Sequence, residues 1–385
     1  MQLSNQYRIE FFNNSIGEND VHYLEYVHHD FIDDFLIDDD YLAIQTTSVE
    51  IRPTSKVQAG HLVRVLRDEK TYFFGVVTNV APTDYTTKVT VAPFISIFDA
   101  PILFDSALQA KNEESFSLEN VLAAYIAANY VINVDNLQNY PLSLVTPETG
   151  YHTDKWDMNI GVDFLREDSE NSQKVVINLY ETLIVNALKI YGVAINPTVD
   201  FSTGLITLTI GTVDGKRLID ANLDNVDVVT LKVNDRPKGV NKLVVYNADD
   251  YSVEPYYFFV HPDRTWDEEN VNRILPVSVD VVTVTPDSEE EDQEQAFEDA
   301  AYGIAYDNLS GLEWDDLIEL QCASNDILIN PMTIKIGELV TIYYKDNVYS
   351  SILTGRTVTR DKVKLIFGSE RIQLTKKLAT RQERK

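Results

Sequence analysis

The 385-residue chain is poor in the residue types that advertise chemistry. It holds one cysteine, Cys322, which excludes an internal disulfide, and no Cys/His spacing of the zinc-site kind occurs anywhere. The six histidines, His22, His28, His29, His61, His152 and His261, include no H-E-x-x-H pair, which excludes a zincin site. There is no G-x-S-x-G elbow and no glycine-rich phosphate loop. Basic residues are few: 32 Lys and Arg face 61 Asp and Glu, for a formal charge of −29. Such a surface repels nucleic acid and anionic membranes at range, which disfavours direct DNA binding. No apolar run approaches the ~18 residues of a membrane span, and Met1 to Glu10 carries neither a charged nor an apolar leader segment, so neither a signal peptide nor a membrane span is expected.

What is present is a folded interior. The apolar fraction is 44%, with 21 Tyr and 16 Phe against 3 Met, so aromatics and branched aliphatics must fill the core. The length exceeds what one core usually organises and suggests two or three domains. Period-2 alternation rich in β-branched and aromatic residues predicts strands at Tyr7 to Phe12, Tyr41 to Thr46, His61 to Arg67 and Tyr72 to Val80, the last two joined by the polar Asp68-Glu69-Lys70 turn. Further strands are expected at Val193 to Ile195, Leu205 to Ile210, Val226 to Val233, Lys242 to Asn247, Tyr256 to Val260, Val277 to Thr285, Glu338 to Tyr344, Val348 to Thr354 and Lys362 to Phe367, with Asp214-Gly215 marking a tight turn.

Three helices are expected. Ser117 caps one whose apolar positions Leu118, Val121, Leu122, Tyr125 and Ile126 share a face. A longer one is expected over Ser172 to Tyr191, stopping at Gly192. A third begins in the acidic stretch Asp287 to Asp299 and ends near Leu309, its carboxylates favoured by the helix dipole.

Several clusters admit a functional reading beside a plain one, and the plain one is expected in each case. His28-His29-Asp30 with Asp33, Asp34, Asp38, Asp39 and Asp40 is dense in metal-ligand types but lacks the glycine and terminal glutamate of a calcium hand, and reads as a solvated acidic loop. Cys322, in a strand-like setting beside Leu320, reads as a buried structural thiol and not a nucleophile. Tyr256, Tyr257, Phe258 and Phe259, with Trp266 nearby, could stack on sugar rings, but read as a core strand with an interface. No pair among the 61 acids is singled out for glycoside hydrolysis. The expectation is therefore a protein that is not an enzyme, with no catalytic residue, cofactor or metal. After Gly355 the charge inverts, and Arg371 to Lys385 forms a basic tail that reads equally as a docking segment for an acidic neighbour or the next assembly component and as an unstructured solvated tail.

The two best-defined hairpins resemble one another. Gly60, Leu62, Val63, Val65 and Tyr72 recur in the spacing of Gly337, Leu339, Val340, Ile342 and Tyr349, with a polar Arg67-Asp68 or Lys345-Asp346 turn between. Matched alternation of this kind implies two similar β-barrel or sandwich units. Together with Gly75-Val76-Val77, the Ile97-Phe98-Asp99 and Leu103-Phe104-Asp105 pairs within Phe94 to Asp105, Ser117-Leu118-Glu119 and the closing Phe367-Gly368 to Leu378 run, the chain resembles tail hub proteins of long-tailed phages of Gram-positive hosts. That group includes the N-terminal region of tail-associated lysins and prophage endopeptidase tail proteins.

The resemblance implies a β-dominated α+β fold with two tail-tube-like barrels and α/β insertions. The expected division is a first barrel over 1–110, a helix-containing insertion over 111–200, a mixed β-rich region with the acidic helix over 201–330, closing strands of the second barrel over 331–370, and the basic tail over 371–385. It also implies a homotrimeric baseplate hub at the virion tail tip, made in the host cytoplasm. Its expected partners are a distal tail protein, a tape-measure protein and a receptor-binding or tail-fibre protein, with DNA passing through an acid-lined channel without specific binding. The chain ends where longer members carry a peptidoglycan-degrading extension, so lytic activity is not expected. The alternatives are a carbohydrate-binding host-attachment protein and a cell-wall hydrolase.

Overall fold

A computed structural model describes residues 7–16, 22–32, 35–105, 117–131, 140–146, 174–232, 240–261, 266–271, 273, 277–286, 293–309 and 316–369. The first strands are β1 (Tyr7–Ile16), β2 (His22–Ile32), β3 (Leu36–Asp40), β4 (Thr47–Ile51), β5 (Leu62–Arg67), β6 (Lys70–Pro82) and β7 (Thr87–Pro93). A 3-10 turn at Phe94–Phe98 leads to β8 (Pro101–Asp105), α1 (Leu118–Ile126) and β9 (Leu142–Val145). Then come β10 (Lys174–Asn178), α2 (Val185–Tyr191), β11 (Ala194–Asp200), β12 (Leu205–Gly211), β13 (Val213–Asp220) and β14 (Val226–Lys232). The last part holds β15 (Lys242–Asn247), β16 (Tyr256–Val260), β17 (Trp266–Asp267), β18 (Val279–Val284), α3 (Gln293–Leu309), β19 (Leu317–Ala323), β20 (Glu338–Tyr344), β21 (Asn347–Thr359) and β22 (Lys362–Phe367). The expected β-dominated α+β class is what the chain adopts.

Two large sheets share one strand order. The first runs β2-β1-β5-β6-β7-β4, and the second runs β13-β20-β21-β22-β19-β14 with β3 added against β21. Within them β1-β5-β6-β7-β4 and β13-β20-β21-β22-β19 correspond place for place and in chain order. They differ in one orientation: β1 is antiparallel to β5, whereas β13 is parallel to β20. The hairpins at their centres repeat in backbone detail. Gly60 and Gly337 both have positive φ, at 89° and 79°. At the same 277-residue offset, Asp68-Glu69 (50°, 61°) and Lys345-Asp346 (47°, 63°) occupy the left-handed pair of a type I′ turn, the two-residue connection whose twist suits a hairpin. A bulge in the first hairpin, between Val65 and Leu66, is missing from the second, whose register is continuous.

One buried cluster joins the inner faces of both sheets with α1 and α2, from Tyr7, Phe11 and Phe98 through Leu122 and Leu188 to Leu353 and Phe367. A separate small core lies where α3 lays Phe297, Ala301, Ala305 and Leu309 on Leu243, Val245, Phe258 and Val260 of the β17-β16-β15-β18 sheet. Phe258 is fully buried and meets Tyr302 edge to face at 5.0 Å, so the aromatic strand is packing, as expected.

Three local expectations need correction. The front of the Ser172–Tyr191 segment is strand: Val175, Val176 and Ile177 are β-branched and pair with Phe104, Leu103 and Ile102 of β8. Asn178 then caps the helical part, its Oδ1 accepting from Glu181 N at 3.0 Å. Left-handed Gly192 closes α2 by sending its own N–H and that of Val193 back to Leu188 and Ala187. Asp214-Gly215 is not a turn but part of β13, at a register shift where a Cβ on Gly215 would lie 2.4 Å from Leu339 O. Tyr41 to Thr46 is not a strand; Tyr41 there breaks from β3 into a buried junction described below. The acidic stretch 287–292 and the tail 370–385 lie outside the described residues.

Candidate assembly site

β3 leaves the first half of the chain to pair antiparallel with the C-terminal half of β21, Leu36 opposite Thr359 and Asp40 opposite Gly355. The acidic run Asp38–Asp40 is therefore strand, correcting the solvated-loop expectation. The Asp38 carboxylate accepts from Thr357 Oγ1 at 2.7 Å, Asp39 lies 3.5 Å from the Arg356 guanidinium, and buried Asp40 accepts from Leu42 N at 3.0 Å. Arg356 is itself buried and donates to Ile334 O at 3.0 Å. Burial pushes the Asp39 carboxyl above the usual carboxylate range against the pull of Arg356, with Asp40 adding to the rise. Gly355 lets the strands approach closely at the crossing, where a Cβ would come within 3.1 Å of Asp40 Cα.

Two tyrosine junctions complete the seam. Tyr41 N donates to Thr354 O of β21, its hydroxyl accepts from Ile195 N at 2.9 Å, and its carbonyl accepts from the Tyr180 hydroxyl at 2.9 Å. Burial pushes this phenol far up, so it stays a neutral link. At the other end Tyr7 packs edge to face on Phe35 and Tyr72, and its hydroxyl donates to Arg360 O at 3.0 Å. Tyr72 donates to Ser324 O at 3.3 Å, and Arg67 reaches Ser324 Oγ at 3.4 Å. The chain thus fixes its two similar sheets to each other by the crossing of β3 and by buried hydrogen bonds at Tyr7, Tyr41 and Arg356, which set a defined geometry. Sequence reading did not single out Tyr7, Tyr41 or Arg356; their partners are roughly 150 to 350 residues away, and no local pattern marks such contacts.

Asp33 and Asp34 lie outside the described residues, and among the described ones the His/Asp cluster does not converge. Buried Asp30 accepts from Arg52 N at 2.6 Å, Arg52 Nε at 2.7 Å and Phe31 N at 2.8 Å. His28 lies alongside Phe11, with its rings stacked at 6.4 Å, whereas His29 turns to the Tyr26 hydroxyl. Among the described residues no three His, Cys, Asp or Glu side chains gather as a metal site. Cys322 is buried in β19, and burial, with Asp326 nearby, pushes its thiol up to about 12. No helix among the described residues is long and apolar enough to cross a membrane.

Both sheets end in strands with exposed apolar side chains, although β2 and β4 also meet where Arg52 N donates to Asp30 at 2.6 Å, and the turn at Gly204 lies against Leu24 of β2. β2 and β4 end the first sheet, and β13 and β14 end the second. β2 exposes Tyr23, Tyr26 and Phe31; β14 exposes Val229 and Leu231; Leu218 of β13 is flanked by exposed Tyr343 and Val348. Free backbone donors and acceptors beside apolar side chains are the means by which strands recruit strands of other subunits.

No protein-family model and no curated protein matches the chain. Solved structures it is similar to include phage tail and baseplate proteins. One is from the phage P2 baseplate in its activated conformation with calcium, at 13% identity, covering 94% of this chain and 98% of that one, TM-score 0.42. A second is the 43 kDa tail protein of prophage MuSo2 from Shewanella oneidensis, at 12% identity, covering 94% and 98%, TM-score 0.40. A third is prophage tail protein gp18 from Listeria monocytogenes, at 12% identity, covering 98% of each, TM-score 0.41.

Proposed function

We propose that the chain is a structural subunit of a phage tail tip, a non-enzymatic hub that assembles as a trimer, continues the tail tube and surrounds the path of the ejected DNA. The observation that carries this reading is the internal repeat: one chain presents the same five-strand order twice, with the same hairpin turn, and clamps the two copies in a fixed relation. Three such chains in a ring present six similar sheets, which is how a threefold part can meet a sixfold tube. On this reading the two sheets belong to the two barrel units, with divisions at 1–110, 111–200, 201–330 and 331–370. The exposed edges β2, β13 and β14 carry the ring contacts. The partners are the distal tail, tape-measure and receptor-binding or fibre proteins of a Gram-positive-host phage or prophage, in a virion part made in the host cytoplasm.

The acidic balance suits a wall along which DNA slides without sticking. Asp39, beside Arg356, and buried Asp40 cannot serve there as free charges, since the seam engages them. Electron microscopy of concentrated protein tests the reading: particles with a central channel and six similar outer lobes are expected, and solid or irregular particles would contradict it.

A further inference from the structure

An open groove of about 700 Å³ lies between the loop after β4 and the β6–β7 hairpin. None of its eleven lining residues is charged, in a chain where 24% of residues are. Its polar members are Thr54, Ser55, Gln58, Asn79, Thr83 and Thr87, and Val57 and Val80 supply apolar surface between them. The charged residues of the same loops stay out of the lining: the Arg52 guanidinium is held by Asp30, and Lys56 and Asp84 do not line it. His61, which is not in the lining, accepts from Gln58 N at 3.3 Å, and burial pulls its pKa below the ordinary value.

The walls are preorganised. Buried Thr87 accepts from Thr54 N at 3.0 Å through its hydroxyl and fastens the loop to β7, and Thr83 Oγ1 accepts from Tyr85 N and Thr86 N, stiffening the hairpin tip. The bulge between Val77 and Asn79 changes the register of β6 just where Asn79 enters the lining. By contrast the side chains of Ser55, Gln58 and Asn79 make no hydrogen bond within the described residues, which leaves two amides and a hydroxyl uncommitted. Tyr85, in the turn that carries Thr83, is 86% exposed.

We infer that this groove binds a neutral oligosaccharide. Paired amides and hydroxyls match the donors and acceptors of sugar hydroxyls, the valines match the C–H face of a pyranose ring, and an exposed aromatic at the rim can stack on a further ring. A polyanion or a charged peptide finds no counter-charge there. The inference goes beyond the assembly reading, and it moves sugar recognition away from the Tyr256 to Phe259 strand, where Phe258 and Tyr256 pack against α3.

Saturation-transfer NMR on the full chain with maltotriose, cellotriose and tri-N-acetylchitotriose as probes, and an anionic hyaluronan tetrasaccharide as control, tests it. Saturable binding of at least one neutral probe is expected, at least about tenfold tighter than the hyaluronan fragment, and weakened about fivefold or more by Gln58→Ala or Asn79→Ala with the melting temperature unchanged. Tyr85→Ala, at a turn tip away from any core, gives the same readout through stacking. No saturable transfer from any neutral probe, or binding indifferent to all three substitutions, would overturn the inference. So would a groove-filling Asn79→Trp that changed the mass of the assembled particle, because the groove would then be a contact between copies.

Discussion

Asp30 illustrates how a charged residue in an acidic chain becomes structural. Burial alone would raise its pKa, but the N–H groups of Arg52 and Phe31 and the Arg52 guanidinium outweigh burial and hold the carboxyl below the usual range. A carboxyl with a depressed folded pKa contributes stability above its unfolded pKa and loses it as pH falls through the folded value. Asp30→Asn should therefore cost about 1–3 kcal/mol at neutral pH, with the difference from the parent shrinking below about pH 3.8, as read by denaturant midpoints across pH. Cys322 gives a chemical test of burial: its thiol, pushed up to about 12, should resist iodoacetamide in the folded chain and react once urea unfolds it. Rapid labelling under native conditions would show that β19 is not packed as described. The sequence already suggested an inert thiol, because a lone cysteine between apolar strand positions has few other uses; it gave no hint of Asp30, which sits in a run of acids that looks solvated.

At the scale of elements, the decisive feature is the excursion of β3 into the second sheet. Local periodicity made the hairpins, α1 and α3 legible, since each is specified by neighbours within a few residues: Ser117 by Asn120, and the type I′ turns by their flanking alternation. The repeat was legible for the same reason. The LIDDD of β3 was not, because a short strand paired more than 300 residues away has no alternation of its own, and its three aspartates mimic a loop. Arg356→Ala removes the partner of Asp39 and the donor to Ile334 O together, and should destabilise by about 2–4 kcal/mol, more than Asp39→Asn, whose side chain keeps about 30% of its exposure. Combining them should show a coupling of about 1 kcal/mol in thermal or denaturant unfolding. Additive effects would mean the pair does not hold the crossing. Tyr41→Phe removes one hydroxyl acceptor from buried Ile195 N and should cost about 1–3 kcal/mol with no change in secondary structure by circular dichroism.

For the whole molecule, one large core runs through two sheets of one strand order and holds them in a fixed relation, while the α3 module keeps a core of its own. Rigidity of that kind is of little use to a monomer and of direct use to a ring, where a small angular error per subunit prevents closure. A net charge of −29 opposes association of like subunits, so ring formation should strengthen with ionic strength until screening is complete. Single outward charges on β2, such as Tyr26→Glu, should weaken it without lowering the melting temperature, as read by sedimentation. The mass of the particle in solution, measured by multi-angle light scattering over a range of concentrations and salt, tests the assembly claim most directly. Three times the 43.8 kDa chain, about 131 kDa, reached and held as concentration rises, is the predicted result; a mass that stays at one chain throughout, or that climbs without a plateau, would contradict a closed trimeric ring.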